Sequence, residues 1–455
     1  VQLTSDIEST DPAGLTARVF ARLDRRLSRH VSHPLALALS GGGDSIALLR
    51  VTAAWARTRG RRVVALTVDH KMQPDSAVWS AFAGQSARAL GADWLDLRWD
   101  GPKPATGVTA AARAARHRLI AEAARKVGAR VVLFAHTADD IAESDWMRAR
   151  GSTLGRLRDW SPSPAWPEGR GLMLARPLLA ERRDELRTWL AGQGAVWIED
   201  PANADLRFGR SQARRALHGT SPDQGAPDPA RDGGDRSLRW PHPGVLTASR
   251  DVGAATLAAA LVCLGGGSTP PRGDRLQALI ARLRADEDFV AVLAGARLEA
   301  RADRVVVMRE AGEWLRRPIP PLRLLAGRTV VWDGRCAFAA RAPGWSVVPA
   351  LGRLAALSPS DRAALNRLPA AARGAVPVLL RDGEDAPVLA SETVDQHDLT
   401  PERLRLALDE TTHEDDLKPA ADGATPSNAL FSPADTPHRR SSPDRRRTED
   451  LNEPA

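Results

Sequence analysis

The six residues Ser40-Gly41-Gly42-Gly43-Asp44-Ser45 separate an apolar run, Leu35 to Leu39, from a segment in which Leu48, Leu49 and Val51 recur at helical spacing. A strand, a glycine turn and a helix start in that order bring unpaired backbone N–H groups and the positive end of a helix dipole to one point. That arrangement suits a phosphate or pyrophosphate, and Ser40 and Ser45 add hydroxyl donors. No lysine precedes Ser45, which excludes the triphosphate loop ending in Gly-Lys-Ser/Thr, and the dinucleotide fingerprint lacks its third glycine. A second block, His136-Thr137-Ala138-Asp139-Asp140-Ile141-Ala142-Glu143-Ser144, follows the apolar run Val131 to Ala135. Asp139, Asp140 and Glu143 offer oxygen donors of the kind Mg²⁺ takes, few in number and completed by water. The alternative is the usual preference for acids in a first helical turn. Arg113 and Arg116 lie three apart and so share a helix face, turned either to solvent or to a phosphate.

Positioning these groups requires several strands that end together. Val63 to Asp69 reads as a buried strand finishing at Asp69-His70, Asp93 to Trp99 as a third strand and Val131 to Ala135 as a fourth. Helices at Leu15 to Leu27, Ser76 to Leu90 and Val108 to Val127 intervene. Repeated strand–helix–strand units are right-handed and parallel, and their ligands sit at the carboxyl ends of the strands. The sequence therefore predicts an α/β fold, a parallel sheet with helices on both faces, over residues 15–217. A helix from Leu178 to Leu190 and an extended piece from Val196 to Glu199 close it. Arg207, Arg210, Arg214 and Arg215 form a candidate phosphate-contacting helix.

Residues 218–243 turn to Pro, Gly, Asp and Ser, a linker composition. Residues 244–381 predict a smaller mixed α/β accessory domain: helices at Val252 to Leu264 and Asp274 to Ala285, a hairpin from Val290 to Met308, and strands at Val330 to Ala340. From Asp382 to Ala455 the chain is polar and Pro-rich, which predicts a largely disordered tail ending in the basic cluster Arg439 to Arg447.

At 455 residues two or three domains are expected. The net charge of +8, carried mostly by arginine, fits a polyanionic partner or an arginine-rich proteome equally. Cys263 and Cys336 are the only cysteines, so neither a disulfide framework nor a CxxC site is available. A polar N-terminus and no apolar run of spanning length predict a soluble, cytoplasmic protein without a membrane partner.

Taken together, these blocks make the chain resemble the tRNA(Ile)-lysidine synthetases, a branch of the ATP pyrophosphatases with an adenine nucleotide alpha hydrolase-like fold. The likeness rests on the Ser40–Ser45 loop; Val68-Asp69-His70 with Pro74 and Ser76; Ala112-Arg113 with Arg116; His136 to Ser144 continuing to Arg150-Gly151-Ser152; and Arg176-Pro177-Leu178-Leu179 leading to Asp200-Pro201-Ala202-Asn203. Departures are Lys71-Met72-Gln73 where the family has Gly-Leu-Arg, His117 for Tyr, Ser144 for Thr, and Arg210-Ser211 for Arg-Asn. The resemblance implies that ATP adenylates the C2 oxygen of the wobble cytidine in a tRNA(Ile) with a CAU anticodon, and that the ε-amine of free lysine then displaces AMP. It implies pyrophosphate binding by Ser40, Gly41, Gly42, Gly43, Asp44 and Ser45, with Asp69 on the nucleotide. It also implies Mg²⁺ on Asp44, Asp139 and Asp140, phosphate charge met by Arg113 and Arg116, and positioning by His136. A homodimer is left open. The competing readings are a sulfur-transferring tRNA pyrophosphatase, disfavoured because both cysteines lie outside the catalytic region, and a non-catalytic RNA-binding module.

Overall fold

The computed structural model describes residues 14–152, 157–199, 209–217 and 237–417. The motif Asp200 to Asn203, Arg207, most of the expected linker and the chain beyond Leu417 lie outside the described residues.

The first domain is laid down as helix α1 (Leu15–Arg26), strand β1 (Leu35–Ala38), α2 (Gly43–Thr58), β2 (Val63–Asp69), α3 (Ser76–Ala89), β3 (Asp93–Arg98), α4 (Val108–Lys126), β4 (Val131–Leu133), α5 (Ala138–Arg148), β5 (Trp160–Pro162), β6 (Met173–Ala175), α6 (Arg183–Gly192) and α7 (Gly209–Leu217). Its six strands run β3-β2-β1-β4-β6-β5, parallel throughout except for the edge pair β5–β6. Alternate residues feed opposite faces. Leu35 and Leu37 of β1 join Val19 and Leu23 of α1, Leu48 of α2 and Leu190 of α6 on one side, while Ala36 joins Val64, Val132 and Ile120 of α4 on the other. Burial on both faces is why these strands read as continuous apolar runs and not as an alternating pattern. The parallel α/β sheet is as the sequence predicts. Two details differ: β5 and β6 are three-residue strands with no period to betray them, and the helix expected from Leu178 begins only at Arg183.

The chain leaves β1 outward through β2 and β3, then returns to β1's other side with β4. β1 and β4 thus flank the switch point of the sheet, and the crevice beyond their carboxyl ends is where ligands bind in such folds.

The accessory region begins with β7 (Arg239–His242), inside the expected linker, and β8 (Val245–Ser249), followed by α8 (Ala254–Leu264) and α9 (Gly273–Arg284). Strands β9 (Phe289–Leu293), β10 (Ala296–Arg301) and β11 (Arg304–Arg309) form a meander where a single hairpin was expected. These strands make a five-stranded antiparallel sheet, β7-β8-β11-β10-β9, covered by α8 and α9 through Leu257, Leu261 and Leu283. Two three-stranded antiparallel sheets follow. One joins β12 (Leu322–Leu324), β15 (Trp345–Pro349) and β16 (Pro377–Arg381); the other joins β13 (Thr329–Trp332), β14 (Cys336–Ala340) and β17 (Val394–Asp398).

Disorder does not begin at Asp382. Val394–Asp398 is the third strand of a sheet, and the helix Thr400–Ala407 bridges two cores, with Leu404 in that of the five-stranded sheet and Leu406 in that of the first domain. Residues 409–417 then dock on the first domain. The Arg61 guanidinium forks onto Glu414 at 2.8 and 2.5 Å, the Ser28 N–H donates to the same carboxylate at 3.0 Å, and the Trp160 indole donates to the Thr411 carbonyl at 2.9 Å. This strap ties the accessory region to the first domain, with Glu414 beside the amino ends of β1 and β2 and Asp409 paired with Arg158 near the end of β6. No helix among the described residues is long and apolar enough to cross a membrane.

Candidate active site

The glycine loop has its shape for a steric reason. Gly41 sits at φ +85°, where a side chain is strained, and a Cβ there would lie 2.8 Å from the Cδ1 of Ile198. Ile198 returns the contact by donating its N–H to the Gly41 carbonyl at 2.9 Å and bridging to Gly42, while Trp197 packs over Gly43. The Ser45 hydroxyl donates to the Gly42 carbonyl at 2.8 Å and lies 3.1 Å from the Ser40 hydroxyl. Asp44 is the second residue of α2, in the first turn where a carboxylate meets the dipole favourably.

Across the switch point, Thr137 and Asp140 form a reciprocal cap on α5: the Thr137 N–H and hydroxyl donate to Asp140 Oδ2 at 2.9 and 3.1 Å. Asp140 is thereby spent on the helix, its other oxygen 3.8 Å from Arg210. The Ser144 hydroxyl is likewise turned back to the Asp140 carbonyl at 2.8 Å.

One residue that sequence reasoning missed gathers the acids. Arg183, at the start of α6, donates from Nε to Asp44 at 3.1 Å and from Nη1 to Glu143 at 3.1 Å, lies 3.6 Å from Asp140, and donates its backbone N–H to Asp139 at 2.8 Å. Burial opposes the Arg183 charge, but Asp140, Asp44 and Glu143 together raise its pKa. Burial raises the Asp44 pKa against the pull of Arg183. Glu143, 3% exposed, also takes Arg214 Nε at 2.7 Å. In sequence, Arg183 lies in a mixed-charge run, Glu181-Arg182-Arg183-Asp184, that reads as helix surface. Its only local signal is its place just after the Arg176-Pro177-Leu178-Leu179 block.

Among the described residues no three His, Cys, Asp or Glu side chains are grouped to hold a metal ion. Asp44 and Asp139 nevertheless fit a Mg²⁺ held largely by phosphate and water. Each has one oxygen engaged by Arg183, and each leaves the other without a hydrogen bond or ion pair among the described residues. Asp140 does not fit, since both its oxygens face cap or guanidinium partners.

The opposite wall is basic. Arg113 and Arg116 project from α4, Arg176 follows β6, and Arg210 comes from α7. Burial, with Arg113 and Arg210 nearby, pushes the Arg116 guanidinium down to about 10, and burial beside Arg113 and Arg158 does the same to Arg176. The Nε of Arg116 is buried without a partner among the described residues. His136 stacks on Phe134 at 5.9 Å, and His117 stacks on Phe134 at 5.3 Å. Burial, then these arginines, depress the His117 pKa to about 2 and that of His136 well below its usual value. Guanidiniums that depress one another and hold their histidines neutral are short of anions, which suits a polyphosphate. Asp69, at the end of β2, is buried and accepts the Lys71 N–H at 2.7 Å, fixing the turn at Lys71 (φ +52°).

The switch point thus carries a glycine-walled anion cradle, two accessible carboxylates and a guanidinium wall, the layout of a nucleotide-binding domain that works on phosphates. The family model described as a PP-loop domain matches residues 15–220. Three relatives carry the comparison along the chain, all tRNA(Ile)-lysidine synthases. That of Caulobacter vibrioides is 47% identical over 372 residues, 81% of this chain and 90% of that protein. That of Hyphomonas neptunium is 34% identical over 64% of this chain and 84% of its own length, and that of Rhizobium meliloti is 32% identical over 70% and 76%. The chain belongs to the tRNA(Ile)-lysidine synthase family, and is an enzyme of that family.

Proposed function

We propose that this chain ligates free lysine to C2 of the wobble cytidine in a tRNA(Ile) with a CAU anticodon, consuming ATP and releasing AMP and pyrophosphate. The observation that carries the reading is the convergence of the Ser40–Ser45 loop, Asp44 and Asp139 on Arg183 at one switch point, facing the guanidiniums. Loop N–H groups receive the leaving pyrophosphate, the Ser40 and Ser45 hydroxyls joining them by turning from each other and from the Gly42 carbonyl, and Asp69 borders the nucleotide. Asp44 and Asp139 would hold Mg²⁺, which when bound neutralises phosphate oxygens. Arg113 and Arg116 meet the negative charge that grows as the cytidine C2 oxygen bonds the α-phosphorus and pyrophosphate departs.

AMP on the C2 oxygen turns a poor leaving group into a good one. The ε-amine must attack neutral, and a pocket crowded with guanidiniums lowers the pKa of the incoming ammonium. The accessory region is assigned to the tRNA body. A sulfur-transferring reading finds no nucleophile: Cys263 and Cys336 are buried in the accessory region, where burial pushes the Cys263 thiol up to about 11 and Cys336 higher still.

The test combines purified protein, ATP, labelled lysine and an isoleucine tRNA bearing CAU, with a methionine tRNA as control. Label should enter only the isoleucine tRNA. Asp44→Ala should abolish incorporation while tRNA binding stays near normal; equal loss of both would assign Asp44 to the fold.

A further inference from the structure

β4 and β6 are parallel neighbours, with Leu133 opposite Ala175. His136 and Arg176 therefore emerge side by side at the carboxyl edge of the sheet, and the Nε–H of Arg176 donates to Nδ1 of His136 at 3.2 Å. Arg176 is not free to turn away. Its Nη1 donates to the Arg158 carbonyl at 2.6 Å and to the Ser161 hydroxyl at 3.0 Å, and its backbone N–H donates to the Asp159 carbonyl at 2.8 Å. The His136 ring is held nearly parallel to Phe134, 17° from coplanar, and both His136 and Arg176 are buried.

A guanidinium has donors only. The nitrogen that faces it must present a lone pair, so the single proton of a neutral imidazole is left on the other nitrogen; an imidazolium would set N–H against N–H. Among the described residues Nε2 of His136 makes no hydrogen bond, so its N–H is available to a ligand in the crevice that Arg113 and Arg116 also face.

We propose that Arg176 is a positioning residue that fixes His136 as the Nε2–H tautomer, making His136 a hydrogen-bond donor to the reacting groups and not the base that deprotonates lysine. The role in transfer rests on the ligase reading above; the tautomer does not. The charged and titratable groups around the ring agree. Arg176 comes from the end of β6, Arg113 and Arg116 from α4, and Arg210 from α7, and all four disfavour a second proton, while His117 of α4 stays neutral. The lone pair a base would need on Nε2 is absent in this tautomer, so proton removal from the ammonium falls to solvent or to another group.

The experiment uses the full chain labelled with ¹⁵N-histidine, the His136 ring being assigned through backbone connectivity. Two-bond ¹H–¹⁵N correlations distinguish a pyridine-type Nδ1 with a pyrrole-type Nε2 from the reverse and from imidazolium. The wild-type protein should show the first pattern at every point between about pH 6 and 8; an Nδ1–H ring or an imidazolium there overturns the proposal, with no variant needed. Arg176→Met should give a mixed tautomer and lower kcat about 100-fold, as when an oriented donor is lost. KM for tRNA should stay within about threefold, since binding outside the reacting centre is untouched. Arg176→Lys, which keeps a donor, should recover part of both the spectrum and the rate. Loss of rate in Arg176→Met with the tautomer unchanged would make Arg176 structural and sink the proposal. A wild-type protein with the expected spectrum but no lysine incorporation would instead refute the ligase reading and leave the tautomer standing.

Discussion

Replacing Glu414 by alanine deletes one half of an ion pair that is out of reach of water: the Glu414 and Arg61 side chains are 1% and 2% exposed. The guanidinium would lose both bonds of its fork and keep only the Ser28 and His33 carbonyls, at 3.3 and 3.0 Å, while the Ser28 N–H would lose its acceptor. Breaking a buried pair in this way costs about 3–5 kcal/mol, because one charge stays buried alone. That is a large part of the roughly 5–15 kcal/mol by which a domain is stable. The loss should be local at first, since the pair joins the strap to the catalytic domain and a chain of several domains does not unfold in one step.

Hydrogen exchange of the purified variant is the assay. Amides of residues 28–33 and 400–417 should lose protection, while those of the five-stranded sheet keep it. Arg61→Met combined with Glu414→Leu should restore most of the protection, since apolar replacement of both partners is close to neutral or better. The double-mutant cycle should then give a coupling of about 2 kcal/mol or more. Should Glu414→Ala cost under about 1 kcal/mol, or the double replacement simply add the two single losses, the strap is not held by this pair.

Arg183→Lys should abolish ATP consumption with tRNA binding intact, because an ammonium cannot reach Asp44 and Glu143 together; full turnover would remove Arg183 from the centre of the site. Gly41→Ala should cost about 1–3 kcal/mol in thermal unfolding from its strained φ and also impair turnover, and adding Ile198→Ala should relieve the 2.8 Å contact but not the strain. His117 and His136 have folded pKa values below the unfolded one. Their contribution to stability is therefore complete above about pH 6.5 and lost as pH falls through that value towards their folded pKa values, at about 1.4 kcal/mol per pH unit for each. Urea unfolding of His117→Tyr should show a shallower loss than the parent between about pH 6.5 and 5, by one histidine's share; identical slopes would place the His117 proton elsewhere.

What could be read from the sequence was what is local in it. Ser40 to Ser45 and His136 to Ser144 are contiguous, and strand–turn–helix chemistry within each block suffices to put them at the same edge of a parallel sheet. The role of Arg183 and the partner of Arg176, itself part of a recognised block, were not legible, because nothing near them in sequence shows what they meet: Arg183 meets Asp44 across 139 positions and Arg176 meets His136 across 40. The strap is the extreme case. Thr411, Thr412, His413, Glu414, Asp415 and Asp416 form a run too polar to suggest a core, and its order comes from an arginine 353 positions away and from Leu406 and Leu417 on either side. Asp139 and Asp140 show the finer limit. Adjacent acids in a first helical turn are equivalent by composition, and only the capping geometry of Thr137 decides that Asp140 is consumed by the helix while Asp139 keeps an oxygen for the crevice. An aspartate that caps its own helix sets that helix's direction, so Asp140 acts on the site through where α5 points, and Asp140→Asn, which keeps an acceptor for Thr137, should disturb the site far less than Asp139→Asn in the same lysine-incorporation assay.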